Sequence, residues 1–308
     1  MSVFSISSDD LVDGLPRSDA EARQWCSLLE SGAVLYFPQT PVPIPEEDLA
    51  LLLRLKQTES SQHKNIAYKP NRDLLTGVDE KASTSEEISG LHLAMHRYSS
   101  SVVQFLAKFL APYHQRWQLD YASYRPFEEN GRDLSMRRRN DLLHTDAFPT
   151  RPTHGARILR FFHNIHPDRG RDWMITEPFA RLVDRFTPAK IPLPTPDNAF
   201  KRASRRLAET TGIAKLLPQL KRPPYDEFMT QLHNAMKEDA EFQLNCPKEQ
   251  FSFPPGSSWM VFTETVPHAV LAGQFALEQT LLVDPRANVV PESAPIAILE
   301  KLAGAPLA

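Results

Sequence analysis

Asn140-Asp141-Leu142-Leu143-His144-Thr145-Asp146-Ala147-Phe148 sets an imidazole and a carboxylate two positions apart in a run with strand character. Successive side chains of a strand alternate between its faces, so His144 and Asp146 are predicted to project to the same side. A third ligand has to come from a distant segment. His268, in Thr265-Val266-Pro267-His268-Ala269-Val270, follows a second strand-like run, Trp259-Met260-Val261-Phe262. Two neutral imidazoles and one carboxylate make the facial triad of non-haem Fe(II), which leaves coordination positions open for a co-substrate and dioxygen. His144, Asp146 and His268 are therefore the candidate metal ligands and catalytic residues.

Moving outward, Arg157-Ile158-Leu159-Arg160-Phe161-Phe162-His163-Asn164-Ile165 is the clearest strand. Alternation puts Arg160, Phe162 and Asn164 on one face and Arg157, Leu159, Phe161 and His163 on the other. An arginine in so apolar a run needs an anionic partner, because burying an unpaired charge is costly. Further strands are predicted at Leu119–Phe127, which carries Arg125, and at Phe275–Val283, with a hairpin-type turn at Glu129-Asn130-Gly131. Strands on both sides of the candidate ligands, with helices before and between them, imply an α+β fold with a double-stranded β-helix (jelly-roll) core. One domain over 1–308 is expected: a mainly helical part at 1–117, the core at 118–285, and a helical insertion at about 176–245.

In the N-terminal part, Ser18-Asp19-Ala20-Glu21 has capping-box form ahead of helically spaced Ala22, Trp25, Leu28 and Leu29. Ala33–Phe37 reads as a strand, and 45–57 and 83–113 as helical. His63-Lys64-Asn65-Ile66-Ala67-Tyr68-Lys69-Pro70-Asn71 reads as a polar, irregular loop, and Tyr225–Leu244 as one helix.

The 308 residues suffice for a large core, and a net charge of -3 excludes a wholesale nucleic-acid binder. Two cysteines, Cys26 and Cys246, are too few for a disulfide framework, which suits a reducing compartment. No run approaches the length of a spanning helix and no signal-like start is present, so a cytoplasmic location is expected. From Lys201 to Arg222 seven basic residues face one acid, a local balance of +6.

Leu143-His144-Thr145-Asp146-Ala147-Phe148-Pro149, Arg157 to Ile165, the distal Val266-Pro267-His268 and the upstream Asn65-Ile66-Ala67-Tyr68-Lys69-Pro70 resemble Fe(II)/2-oxoglutarate-dependent dioxygenases of the bacterial 3-deoxy-D-manno-oct-2-ulosonic acid (Kdo) 3-hydroxylase family. The resemblance covers most of the chain. It implies a cupin-like core, Fe(II), 2-oxoglutarate and O2, and hydroxylation at C3 of Kdo in a lipid A precursor at the inner core of lipopolysaccharide. One large branch of the superfamily grips the distal carboxylate of 2-oxoglutarate with an arginine about ten residues after the distal histidine. That position is Glu278-Gln279 here. Other branches use the strand after the His-x-Asp pair, which implies Arg160 with Asn164, and Arg125 as a further contact. Kdo is itself an acid, so Lys64, Tyr68 and Lys69 are expected to touch the sugar. Its lipid anchor implies that the +6 segment binds anionic membrane on the inner face of the inner membrane. Two alternatives stay open: a non-catalytic cupin-like sugar-binding module, and a hydroxylase of protein side chains.

Overall fold

Both faces of β6 (Arg157–Asn164) carry large apolar side chains, so this strand needs cover on each side and lies inside an eight-stranded sheet. The computed structural model describes residues 2–55, 65–198, 201, 203, 207 and 222–308. Across the large sheet the order is β1 (Val3–Ser5), β2 (Val34–Phe37), β9 (Ser258–Phe262), β6, β11 (Ala276–Val283), β5 (Trp117–Arg125), β3 (Ile66–Lys69) and β4 (Leu74–Thr76). Among the described strands of this sheet only the β1–β2 pair is parallel. A three-stranded sheet in the order β10 (His268–Ala272), β7 (Arg171–Ile175), β8 (Glu249–Phe253) faces it.

Period-two alternation sorts the core. Leu159 and Phe161 of β6, Met260 and Phe262 of β9, and Leu277 and Leu281 of β11 face three helices, α1 (Asp19–Glu30), α2 (Glu46–Arg54) and α3 (Ser85–Phe109). Phe162, Trp259 and Val261 point the other way and meet Trp173, Val270 and Phe253 of the small sheet. Burying each large side chain is worth about 1.5–3 kcal/mol, so the two interfaces fix which face of β6 carries Arg160. A third cluster joins α4 (Phe179–Phe186), α5 (Pro224–Glu238), α6 (Ala240–Asn245) and α7 (Pro295–Ala303) to Leu143 and Ala269. The helices α4 to α6 are inserted between β7 and β8.

This is the expected α+β double-stranded β-helix, with differences. The N-terminal part supplies three helices and also β1 to β4, at both edges of the large sheet. The 65–71 segment is no loop, since Ile66 and Tyr68 alternate into the core as β3. Glu129-Asn130-Gly131 closes no hairpin, because the antiparallel neighbours of β5 are β11 and β3. The helix predicted over 225–244 breaks at Asp239, whose side chain accepts from the amide of Phe242 and caps α6. The 140–148 stretch is not a strand either: its backbone meets the small sheet at an isolated bridge, His144 with His268, and at the carbonyl of Asn140, which accepts from the amide of Val270 (2.8 Å).

Candidate active site

That bridge builds the site. The amide of His144 donates to the carbonyl of His268 (3.1 Å) and the amide of His268 to the carbonyl of His144 (3.0 Å). The amide of Asp146 donates to the carbonyl of Thr263 (2.9 Å). Ligand atoms of His144, Asp146 and His268 lie within 4.8 Å of one another, with His144 Nε2 4.0 Å from Asp146 Oδ1. Each ring is oriented by the carbonyl two residues before it: His144 Nδ1 donates to Leu142 (2.7 Å) and His268 Nδ1 to Val266 (3.0 Å). A carbonyl can only accept, so Nδ1 carries the proton and the Nε2 lone pair is left for a metal. Trp173 stacks on His268 (ring centroids 5.0 Å, 13°) and His233 of α5 sits edge-on to His144 (4.9 Å).

Electrostatics suit ligation. Burial, reinforced by His268 and Lys237, holds His144 well below the ordinary imidazole range. His268 is lowered by burial as well. Neutral imidazoles are what a metal requires. Burial alone would raise Asp146, but Arg160 and the two imidazoles override it and hold the carboxyl below its usual range.

Beside the ligands is a cavity of about 220 Å³, lined among others by Arg125, Arg160, Arg171, Phe162 and Trp173. Arg160 Nε lies 2.9 Å from Asp146 Oδ2, and its Nη1 pairs with Glu278. Arg125 pairs with Glu278 (2.6 Å) and Glu129 (3.6 Å), and Arg171 with Glu129 (3.4 Å). Arg171 Nη1 also donates to the carbonyl of Gly273 (3.0 Å). A Cβ at position 273 would come within 2.7 Å of the Arg171 side chain, so glycine lets the backbone approach it. Arg160 Nε and Asp146 Oδ2 thus serve one another as an ion pair, whereas among the described residues Arg171 Nε and Trp173 Nε1 make no hydrogen bond. Buried polar groups are rarely left so, and an anion in the cavity beside Arg171 and Trp173 gives both of them a partner.

The predicted residues divide. Arg160 and Arg125 line the cavity, whereas Arg157, on the opposite face, is spent on Glu264 (2.7 Å). Asn164 is not available to a co-substrate: its amide donates to the carbonyls of Arg169 and Phe253 and its oxygen accepts from the amide of His166. Tyr68 points to the helical side, where its hydroxyl meets Asp73 and His96, both at 2.8 Å, so it is removed from the sugar contacts. Lys69 lies over the Tyr121 ring (5.2 Å) and is not part of the cavity wall. Lys64 lies outside the described residues.

Sequence reading missed Arg171 and Trp173, although Arg171-Asp172-Trp173 alternates as His144-Thr145-Asp146 does. It also missed His233 and Lys237, four apart on α5, which reach the cavity from the inserted helices. Spacing does point to one helical face, but not to which partner that face meets.

A model of the 3-deoxy-D-manno-oct-2-ulosonic acid (Kdo) hydroxylase family matches residues 14–306. Among curated protein sequences none matches. Among solved structures, the Kdo hydroxylase KdoO, a non-haem Fe(II) α-ketoglutarate-dependent dioxygenase in complex with α-ketoglutarate and Fe(III), superposes with a TM-score of 0.83 at 33% identity, covering 100% of this chain and 98% of that one. The same enzyme with succinate and Fe(III) gives 0.82 at 33%, covering 99% and 97%. A match of this extent, together with the ligand geometry, identifies the chain as a member of the Kdo hydroxylase family.

Proposed function

We propose that the chain is an Fe(II)- and 2-oxoglutarate-dependent dioxygenase that hydroxylates C3 of Kdo in a lipid A precursor, with 2-oxoglutarate decarboxylated to succinate. One observation carries the reading: His144, Asp146 and His268 converge at a cavity lined by Arg125, Arg160 and the fully buried Arg171, whose Nε–H makes no hydrogen bond among the described residues. In this reading the three ligands hold Fe(II), which with O2 and 2-oxoglutarate supplies the oxidising power. Leu142 and Val266 fix the imidazoles, Trp173 covers His268, and Phe162 and Val270 keep water from the wall. Arg160, Arg125 and Arg171 receive the distal carboxylate of 2-oxoglutarate, as guanidinium forks match carboxylates. A cavity of about 220 Å³ suits a small acid rather than a protein chain, and a non-catalytic sugar module has no use for so many arginines. Mass spectrometry of a Kdo-bearing lipid A precursor, incubated with protein, Fe(II), 2-oxoglutarate and O2, tests it. A gain of one oxygen on the sugar with equimolar succinate is expected; succinate without oxygenated sugar overturns the substrate assignment.

Arg160→Ala is expected to raise the 2-oxoglutarate concentration for half-maximal turnover about 30-fold, the lower end of what truncating a buried charge partner costs, since two arginines remain. Lysine restores part of the loss because it lacks the planar fork. A wild-type 2-oxoglutarate titration for Arg160→Ala contradicts the assignment.

We also propose cytoplasmic action with peripheral attachment to anionic lipid through the Lys201-to-Arg222 segment. Lys201 and Arg222 are described, but Arg202, Arg205, Arg206, Lys215 and Lys221 lie outside the described residues. Among the described residues no helix is long and apolar enough to cross a membrane. Each basic residue near an anionic surface contributes roughly 1 kcal/mol, screened by salt. Co-sedimentation with phosphatidylglycerol-containing vesicles is expected at low salt and lost at high salt or on neutralising Arg202, Arg205 and Arg206. No sedimentation at low salt removes the role.

A further inference from the structure

Helix α5 buries Phe228, Leu232 and Met236, and that packing turns His233 and Lys237, one helical turn apart, toward the metal ligands. His233 Nδ1 donates to the carbonyl of Thr145 (2.7 Å). Lys237 is 4% exposed and lines the same cavity as His144, Asp146 and the arginines. Its ammonium makes one hydrogen bond among the described residues, to the carbonyl of Arg137 (3.1 Å).

The contrast with its neighbours is informative. Arg125, Arg160 and Arg171 each have a carboxylate partner, as does Arg137 at the rim, on Glu238 (2.8 Å). Lys237 has no carboxylate within ion-pair distance among the described residues, and burial pulls its pKa down to about 8 even though Asp146 and Asp141 act to raise it. A buried ammonium without a counter-ion is costly, and a leucine or methionine fills such a helical position without that cost. Loading the co-substrate site does not remove the mismatch, because the two charges of Fe(II) and the two of 2-oxoglutarate offset one another.

We propose that Lys237 binds the carboxylate of the sugar acid. The inference rests on the function proposed above and deepens it. In a 2-ulosonic acid oxidised at C3, the carboxylate is C1, two bonds from the reacting carbon. Whatever cation receives it has to stand in the metal cavity itself. Lys237 stands there, whereas Lys69, over Tyr121, does not. The lysine thus sets which side of the sugar ring is offered to the metal, and it reaches the cavity from the inserted helix while the arginines reach it from strands.

The test pairs the residue with the group it is held to recognise. Wild type, Lys237→Met and Lys237→Arg are assayed on a Kdo-bearing lipid A precursor and on its carboxyl methyl ester. For wild type, esterification is expected to lower kcat/KM about 30-fold or more. Lys237→Met is expected to lose a similar factor on the acid and to treat acid and ester alike, as one contact removed twice costs only once. Lys237→Arg recovers part of the discrimination. Two further readouts separate this from a structural or cofactor role. Lys237→Met is expected to melt no lower than wild type, since it removes an uncompensated buried charge. Its anaerobic Fe(II)/2-oxoglutarate charge-transfer titration should match wild type. Wild-type acid-to-ester discrimination in Lys237→Met, or weakened 2-oxoglutarate binding, overturns the proposal. If wild type oxygenates neither acceptor, the parent function fails first, and this inference falls with it.

Discussion

Asp146→Ala is expected to lose Fe(II) binding and succinate formation together, by more than the 10–100-fold that removing a mere supporting group costs. Two imidazoles remain, but the carboxylate is the one anionic ligand of the three and the one that offsets the metal's charge within the set. The variant also leaves Arg160 Nε without the carboxylate at 2.9 Å. Glu278 still pairs with Arg160, so the arginine keeps a counter-ion and the fold is expected to persist. Metal analysis after gel filtration, together with a thermal melt of the iron-free proteins, checks both halves. Stoichiometric iron in the alanine variant, or wild-type turnover, removes Asp146 from the site.

Glu278→Ala is expected to act on stability more than any other single change near the site. Glu278 is 3% exposed and holds Arg125 at 2.6 Å as well as Arg160, and it stands on β11 between β5 and β6. Breaking a buried charge pair by removing one partner costs about 3–5 kcal/mol. In a chain of this size that lowers the melting temperature by roughly 5–8 °C. The same carboxylate gives a pH dependence. Burial would raise its pKa, but Arg125 and Arg160 override this and hold it below the ordinary glutamate value. A carboxyl with a depressed folded pKa contributes its full stability above the unfolded value of about 4.3 and loses it as pH falls through the folded value. Wild type should therefore destabilise on acidification more than Glu278→Gln does, with both melted as iron-free protein. Equal melting temperatures and parallel acid profiles contradict the account.

The parts of this molecule that were legible in the sequence are those that repeat a local period. Arg160 was placed on the correct face of β6 because Phe162 lies two residues on and Leu159 and Phe161 alternate against it. His144 and Asp146 do share a side, but not through a strand: the bridge to His268 and the bond from Asp146 to Thr263 do it, and neither is encoded locally. Asn164 failed because periodicity gives a face and not the end of a strand, where free carbonyls such as that of Phe253 compete for an amide. Tyr68 failed because its polar neighbours hid a strand, although Ile66-x-Tyr68 alternates correctly into the core. Arg171, His233 and Lys237 required knowledge of which elements pack together, which a single sequence does not carry.

The reciprocal pair of hydrogen bonds between His144 and His268 joins residues 124 positions apart and closes the 140–148 loop onto the small sheet. Both amide protons are thereby locked into the seam that a metal would clamp. Any ligand that binds the folded chain alone raises the free energy of opening by RT ln(1 + [L]/Kd), about 2.7 kcal/mol at a hundredfold excess over Kd. These two amides consequently serve as a built-in occupancy gauge: their deuterium uptake should slow together by about 100-fold when the site is filled with a redox-silent divalent ion, and quicken together when a chelator strips it.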